Sequence, residues 1–492
     1  MKTFQEELVV LLKARYPIIY IVTIEEERLE YSIRNTILNK RFSNLYIWDF
    51  IEGFNLNPMK KDCGKRNPLG ALEFVETMNS NTPSIFILKD FRRFLTDLTI
   101  SRKLRNLLPL LKREPKTIII IDSEIQIPND LKDSITILKF NLPSPKEIRA
   151  EILRLSQKLT LKGKISQKTV ENIIKACQGL SLEKIRRVLG KAIVIYRQLD
   201  HNSIPIILGE KRQVISQTKL LEFWAVKKRL KDIGGAYNLK RWLTARNDVF
   251  SEKALQYNLP IPKGVLIAGM QGCGKSLIAK AIAFEWRLPL LRLDIGRLFG
   301  GVVGESELRV REMIDIAESL SPCILWIDEL DKSFIDRNYD SDSGTTSRVL
   351  ATLLTWLGEK TLPVFVVATA NDIKSLPTEI LRKGRFDEVF FLKSPDLNER
   401  EVIFEIHLQK FRPESWEIYD IKRLSRKSTR FSGAEIEQTI IDAMYVAFSQ
   451  DRDFTTGDIL LAIKETVPLI DIAPLRASKI NSWARSGRVR FA

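Results

Sequence analysis

"GVLIAGMQGCGKS", residues 264–276, runs from an apolar stretch into glycines and stops at a lysine and a serine. Val265 to Ala268 predict a buried strand, and the "LIAKAIA" that follows Ser276 predicts a helix. Between them Gly269, Met270, Gln271, Gly272, Cys273, Gly274, Lys275 and Ser276 have the spacing of a phosphate-binding loop. Glycines let backbone N–H groups converge on phosphate oxygens where a side chain would block the approach. Lys275 is expected to reach the β- and γ-phosphates of ATP, and the Ser276 hydroxyl to ligate Mg²⁺. The helix N-terminus adds positive potential.

Further along, "CILWIDELD" (323–331) describes a buried parallel strand that delivers Asp328 and Glu329 at its C-terminal edge. Asp328 is expected in the Mg²⁺ shell, and Glu329 is expected to polarise an attacking water. A third apolar run, "PVFVVATAND", ends at Asn371, an amide able to orient that water; taken alone, an Asn there is more often a turn former. "LPTEILRKGRFDEVFFL" then presents Arg382 and Arg385 before another strand. An arginine that completes a phosphoryl-transfer site is worth about 10³ to 10⁵ in rate.

Seven stretches occur in one order: "DIGGAYNLKRWL", the phosphate loop, "GGVVGESELRVREMIDIAE", "CILWIDELD", "ATAND", "LRKGRFD" and "RFSGAEIEQTI". In that order they resemble an AAA ATPase module over roughly residues 231–470. The resemblance implies an α/β P-loop core at 231–395 with a parallel sheet, and a helical lid at 396–470. It implies that Asp232, Gly234 and the Gly433–Ala434 pair frame the adenine, and that Asn371 is sensor 1. It also implies that Arg382 and Arg385 are arginine fingers acting on a neighbour's ATP, hence a homo-oligomeric ring, usually a hexamer. "LPLLRLDIGRLFGGVVGESE" and "SPCILWIDELDK" are similar to a divergent AAA branch of cyanobacteria and red-algal plastid genomes. That likeness implies a plastid stroma or, alternatively, a cyanobacterial cytoplasm. Protein-threading rings carry an aromatic ahead of "ESE"; here Val302 holds that position, with Phe299 out of register. This departure weighs against a simple unfoldase. Cys273 is read as a small buried hydrophobe rather than a redox switch.

The first half repeats the plan without its chemistry. "TPSIFILKDF" (82–91) has the shape of "PCILWIDEL", and residues 117–153 follow the plan of "VFVVATANDIKSLPTEILRKGRFDEVFFLKSPDLNEREVIF". "CQGLSLEKIRRVL" likewise matches "STRFSGAEIEQTI". Residues 1–140 are therefore expected to form a degenerate AAA-like α/β domain and 141–205 a helical lid-like subdomain. The alternative is an unrelated α/β domain. "YPIIYIVTIEEERLEYSI" has no Gly-x-x-x-x-Gly-Lys, and its Glu25, Glu26 and Glu27 would repel a phosphate. Residues 206–230 read as a charged linker and 471–492 as a basic tail, expected to dock on its own domain or stay solvated rather than to anchor a partner.

Bulk composition sets bounds. The 492 residues exceed one compact domain. No stretch approaches the roughly 18 apolar residues of a membrane span. Four scattered cysteines argue against a disulfide frame or zinc site, and two histidines against histidine metal sites. A net charge of +17 suits a solvated surface or an anionic partner, nucleic acid or membrane. The leading expectation is an ATP hydrolase that remodels an unidentified protein partner. A slow nucleotide-dependent assembly switch is the first alternative, and a nucleic-acid-stimulated ATPase, not favoured, the second.

Overall fold

The computed structural model describes residues 4–40, 44–54, 63–78, 83–158, 166–216, 220–224, 228–250, 254, 256–298, 305–332, 343–472, 474, 478, 482–484 and 489–492. The chain divides into two compact units, residues 1–148 with 180–186, and residues 149–179 with 187–492.

In the first unit α1 (Phe4–Lys13), β1 (Ile18–Val22), α2 (Glu26–Lys40), β2 (Asn44–Asp49) and β3 (Gly53–Phe54) come in sequence. α3 (Pro68–Thr77), β4 (Ser84–Lys89), α4 (Leu98–Arg113), β5 (Lys116–Asp122) and β6 (Ile135–Lys139) follow. The sheet order is β3-β2-β4-β5-β1-β6, parallel except for β3. β5 is buried along its whole length, as its unbroken Ile118–Ile121 run requires of a strand covered on both faces. α5 (Pro145–Lys158), α6 (Gln167–Cys177), α7 (Leu182–Tyr196) and α8 (Ser203–Ser216) are next, with α5 and α7 crossing the division.

Most of α5–α8 belongs to the second unit. There Gly179, in the left-handed region at φ 83, lies so close to Leu320 that a Cβ would meet its Cα at 2.7 Å. Residues 206–230, expected as a linker, hold most of α8 and then β7 (Leu221–Trp224), an edge strand of the second sheet. The mixed charged and apolar composition hid a four-residue strand whose partner lies far along the chain.

The second sheet is built on α9 (Tyr237–Thr244), β8 (Gly264–Gly269), α10 (Lys275–Trp286), β9 (Leu290–Leu293) and α11 (Glu305–Ser319). β10 (Cys323–Ile327), α12 (Ser343–Glu359), β11 (Val364–Ala370) and β12 (Glu388–Leu392) complete it. The lid follows as α13 (Leu397–Phe411), α14 (Ile421–Lys427), α15 (Gly433–Phe448) and α16 (Thr456–Glu465), and the chain ends with β13 (Arg490–Phe491). Strand order is β13-β12-β8-β11-β10-β9-β7, with β7 antiparallel. Alternate residues of β8 feed two cores: Leu266 and Ala268 pack with α11 and α12, Val265 and Ile267 with α9 and α10. Of the tail, the described Trp483 packs on the first of these cores and β13 pairs with β12, so these residues dock on the second unit's own sheet.

Leaving out β3, β7 and β13, both sheets have one order: β2-β4-β5-β1-β6 and β9-β10-β11-β8-β12. In each, the first strand lies between the fourth and the fifth. The likeness reaches single residues. Asp90 after β4 has φ 52, and Glu329 after β10 has φ 50. Lys89 therefore stands where Asp328 stands, a cation at the place where a metal would need a carboxylate.

Between β1 and α2 only residues 23–25 remain, against 270–274 between β8 and α10. Glu25, 7% exposed, turns inward there. Its carboxylate pairs with Arg28 and accepts from the Leu182 N–H at 2.6 Å, at the start of α7. Glu25→Ala should strip partners from that amide and that guanidinium, costing about 3 kcal/mol. Denaturant unfolding of the full chain, with a loss below about 1 kcal/mol as the contrary result, checks this.

Candidate nucleotide site

The loop after β8 turns on three positive-φ glycines, Gly269 (φ 153), Gly272 (φ 83) and Gly274 (φ 90). Gly272 cannot take a side chain: a Cβ would meet Ser432 Oγ at 2.6 Å. Its carbonyl accepts from the Ala434 N–H at 3.2 Å, which ties the loop to the first turn of α15. That turn is fixed by a capping box in which Ser432 accepts from Glu435 N and Glu435 from Ser432 N. Lys275 is 7% exposed and donates from Nζ to the carbonyls of Gly269 and Met270, both at 2.7 Å. Burial lowers its pKa, against the pull of Asp331, Asp328 and Glu329.

The two carboxylates emerge from β10 as expected, and Thr369 of β11 holds both. Its hydroxyl donates to Asp328 Oδ1 at 2.7 Å and accepts from Glu329 N at 3.0 Å. Ser276 Oγ lies 3.5 Å from the same Oδ1. Glu329 accepts from Asn371 Nδ2 at 3.2 Å and pairs with Lys332 at 2.5 Å. The Lys332 hydrogen bond, above all, holds the Glu329 carboxyl below its ordinary value of 4.5, with Asn371 and Lys275 adding to it. Asn371 is itself fixed, for Asp331, 1% exposed, accepts from the N–H groups of Asn371 and Asp372 at 3.0 Å each.

These groups open on a cavity of about 750 Å³, within the range of small-molecule sites. Asp232, Gly234, Gln271, Gly272, Cys273, Gly274, Lys275, Ser276, Asp328, Glu329, Asn371, Gly433 and Ala434 all line it. Gly234 leaves no room for a side chain, since a Cβ would meet Ile403 Cγ1 at 2.3 Å. Gly269 and Met270 contribute their carbonyls to Lys275 and are not among the lining residues, nor are Arg382 and Arg385. Burial pushes the Cys273 thiol up to about 11, which leaves it protonated and inert, against a redox role. Phe299, Gly301 and Val302, the stretch of the missing aromatic, lie outside the described residues.

Sequence reasoning missed Thr369, Asp331, Ile403 and His407. Thr369 and Asp331 stand within quoted motifs, "ATAND" and "DELD", but their burial and their partners on the neighbouring strand are not visible in the linear sequence. Ile403 and His407 lie one turn apart on α13 and carried no signal.

The oxygens of Ser276 and Asp328 are hard donors of the kind Mg²⁺ takes alongside phosphates. No group of three or more His, Cys, Asp or Glu that could hold a metal by itself occurs among the described residues.

A P-loop sheet of this order, with two carboxylates at the strand tip and a helical lid, defines a nucleotide-binding ATPase of the AAA class. The chain belongs to the AAA ATPase family. Residues 265–394 match the "ATPase family associated with various cellular activities (AAA)". Residues 4–140 match the "SpoVK-like AAA ATPase, N-terminal domain" and 146–218 its "second domain". It is similar to the "Uncharacterized AAA domain-containing protein ycf46" of Trieres chinensis, 57% identical over 99% of this chain and 98% of the relative. The protein of the same description from Guillardia theta is 54% identical over 100% and 96%. The "Cell division cycle protein 48 homolog" of Archaeoglobus fulgidus is 30% identical over 56% of this chain and 39% of its own length.

Thr369→Val should release both Asp328 and Glu329 while leaving the strand packed. Loss of the bond to Asp328 alone, at about 1.4 kcal/mol, corresponds to a loss in turnover of roughly tenfold or more. Steady-state ATPase assays on a variant with unchanged circular dichroism check it.

Proposed function

We propose that the chain binds ATP with Mg²⁺ in this cavity and hydrolyses it to remodel a protein partner. The observation that carries the reading is the convergence of Lys275, Ser276, Asp328, Glu329 and Asn371 on one cavity beneath α15. Lys275 and the loop amides hold the phosphates, and Ser276 with Asp328 holds Mg²⁺. A Mg²⁺ ion held there would supply the charge neutralisation that phosphoryl transfer needs. Glu329, kept ionised, polarises the attacking water, and Asn371 fixes that carboxylate by its amide. Asp232, Gly234, Gly433 and Ala434 frame the base.

Arg382 and Arg385 stand apart from the cavity of their own chain, which favours action on the ATP of a neighbouring copy in a homo-oligomer, with six the expected ring size. We place the protein in the plastid stroma, with a cyanobacterial cytoplasm as the alternative, because similar proteins are encoded in plastid genomes. No described helix is long and apolar enough to cross a membrane. Arg490, a basic residue of the tail, is paired with Glu388 of β12, which gives the nucleic-acid alternative no added support.

ATP turnover per chain, measured against protein concentration, tests the proposal. The rate should rise with concentration, and Arg385→Ala should abolish that rise. Glu329→Gln should keep ATP binding and lose about 10² to 10⁴ in rate. The acid limb should fall below pH 4.5, since a lowered pKa keeps Glu329 ionised until the pH drops through it. A flat, near-zero rate with tight ATP binding would favour the assembly switch.

A further inference from the structure

Arg292 has two carboxylates within reach and a hydrogen bond to neither. Its Nη2 lies 3.5 Å from Asp328 Oδ2, and its Nη1 lies 3.6 Å from Glu222 Oε2. Its Nε is buried without a hydrogen-bond partner among the described residues. Register places it there. Glu222 of β7 pairs with Arg292 of β9, which pairs with Trp326 of β10. Asp328 follows Trp326 by two residues and so comes out on the same side of the sheet. The guanidinium also lies over Trp224 and Trp326, 5.6 and 5.3 Å from the ring centroids. Lys280 of α10 sits 4.3 Å over the Trp224 ring, so β7 is held to the phosphate-loop helix as well.

Asp328 is the carboxylate assigned above to Mg²⁺, so a guanidinium beside it competes with the ion. When Mg²⁺ brings its charge to Asp328, repulsion drives Arg292 away, and the acceptor it can turn to is Glu222. We propose that Arg292 is a positioning residue that moves between Asp328 and Glu222. Binding of the Mg²⁺–nucleotide is thereby coupled to the docking of β7, the strand that follows the helices α6–α8. This inference rests on the nucleotide site proposed above and assigns that site a regulator. Arg297, 2.5 Å from Glu222 Oε1, keeps Glu222 in place in either state. By linkage, whatever loosens β7 weakens Mg²⁺ binding, and Mg²⁺ binding tightens β7 by the same factor.

The test is the affinity of the full chain for N-methylanthraniloyl-ATP, read by fluorescence in Mg²⁺ and in EDTA. Glu222→Gln should weaken binding in Mg²⁺ by about fivefold or more and leave binding in EDTA unchanged. Arg292→Gln should lower the Mg²⁺ concentration at half-saturation, and adding Glu222→Gln to it should change nothing further. A Glu222→Gln effect of equal size in EDTA, or one that persists in the Arg292→Gln background, overturns the proposal, for it would mark Glu222 as a structural residue only. Should Glu222→Gln fail to fold, an Arg292→Gln chain with an unchanged Mg²⁺ midpoint overturns it as well. Wild-type chain that binds the analogue in neither condition would instead refute the nucleotide site itself.

Discussion

One hydroxyl holds the candidate site together. Thr369, 1% exposed near the end of β11, donates to Asp328 and accepts from the backbone of Glu329. Two adjacent carboxylates repel each other, and Glu329 also takes a left-handed backbone that a side-chain-bearing residue adopts at a cost. A buried hydrogen bond from the neighbouring strand offsets both. Asp331 does the same for Asn371 by accepting from two successive backbone amides. The parallel sheet thus supplies more than a platform. It brings side chains of adjacent strands close enough to fix each other's direction, which is what a water-orienting site requires.

The first unit shows what the same topology does when those groups are exchanged. With three residues between β1 and α2 in place of a five-residue glycine loop, no cradle for a phosphate forms. Glu25 instead bonds to the N-terminus of α7, the counterpart of the Gly272–Ala434 contact in the second unit. A protein carboxylate thus makes, within the chain, the link from loop to helix. Lys89 lies where Asp328 lies, and it pairs with Glu30 at 3.2 Å. The two sheets thus share one strand order while the groups at their strand tips differ.

Much of the site was legible in the linear order of residues. The phosphate loop, the acidic pair and the Asn at a strand tip each follow an apolar run, because a buried parallel strand ends at the sheet's functional edge. The capping box at Ser432 and Glu435 is likewise local in sequence. Thr369 was harder. Its partners lie 40 and 41 residues earlier, and within its own strand it reads as an ordinary β-former. β7 was read as linker because an edge strand of four residues gains its meaning from β9, some seventy residues later.

The sequence by itself determined the apolar strands that lead into the site, the glycine cradle, the two carboxylates and the lack of a Gly-x-x-x-x-Gly-Lys in the first half. Each of these depends on neighbours a few residues apart, where spacing sets geometry. Only the tertiary structure decided that Thr369 and Asp331 hold the site, that Glu25 turns inward, that the tail extends the sheet, and that Arg292 stands between Glu222 and Asp328. Those contacts join residues tens to hundreds of positions apart, and strand register, set by packing on both faces of the sheet, is what brings them together.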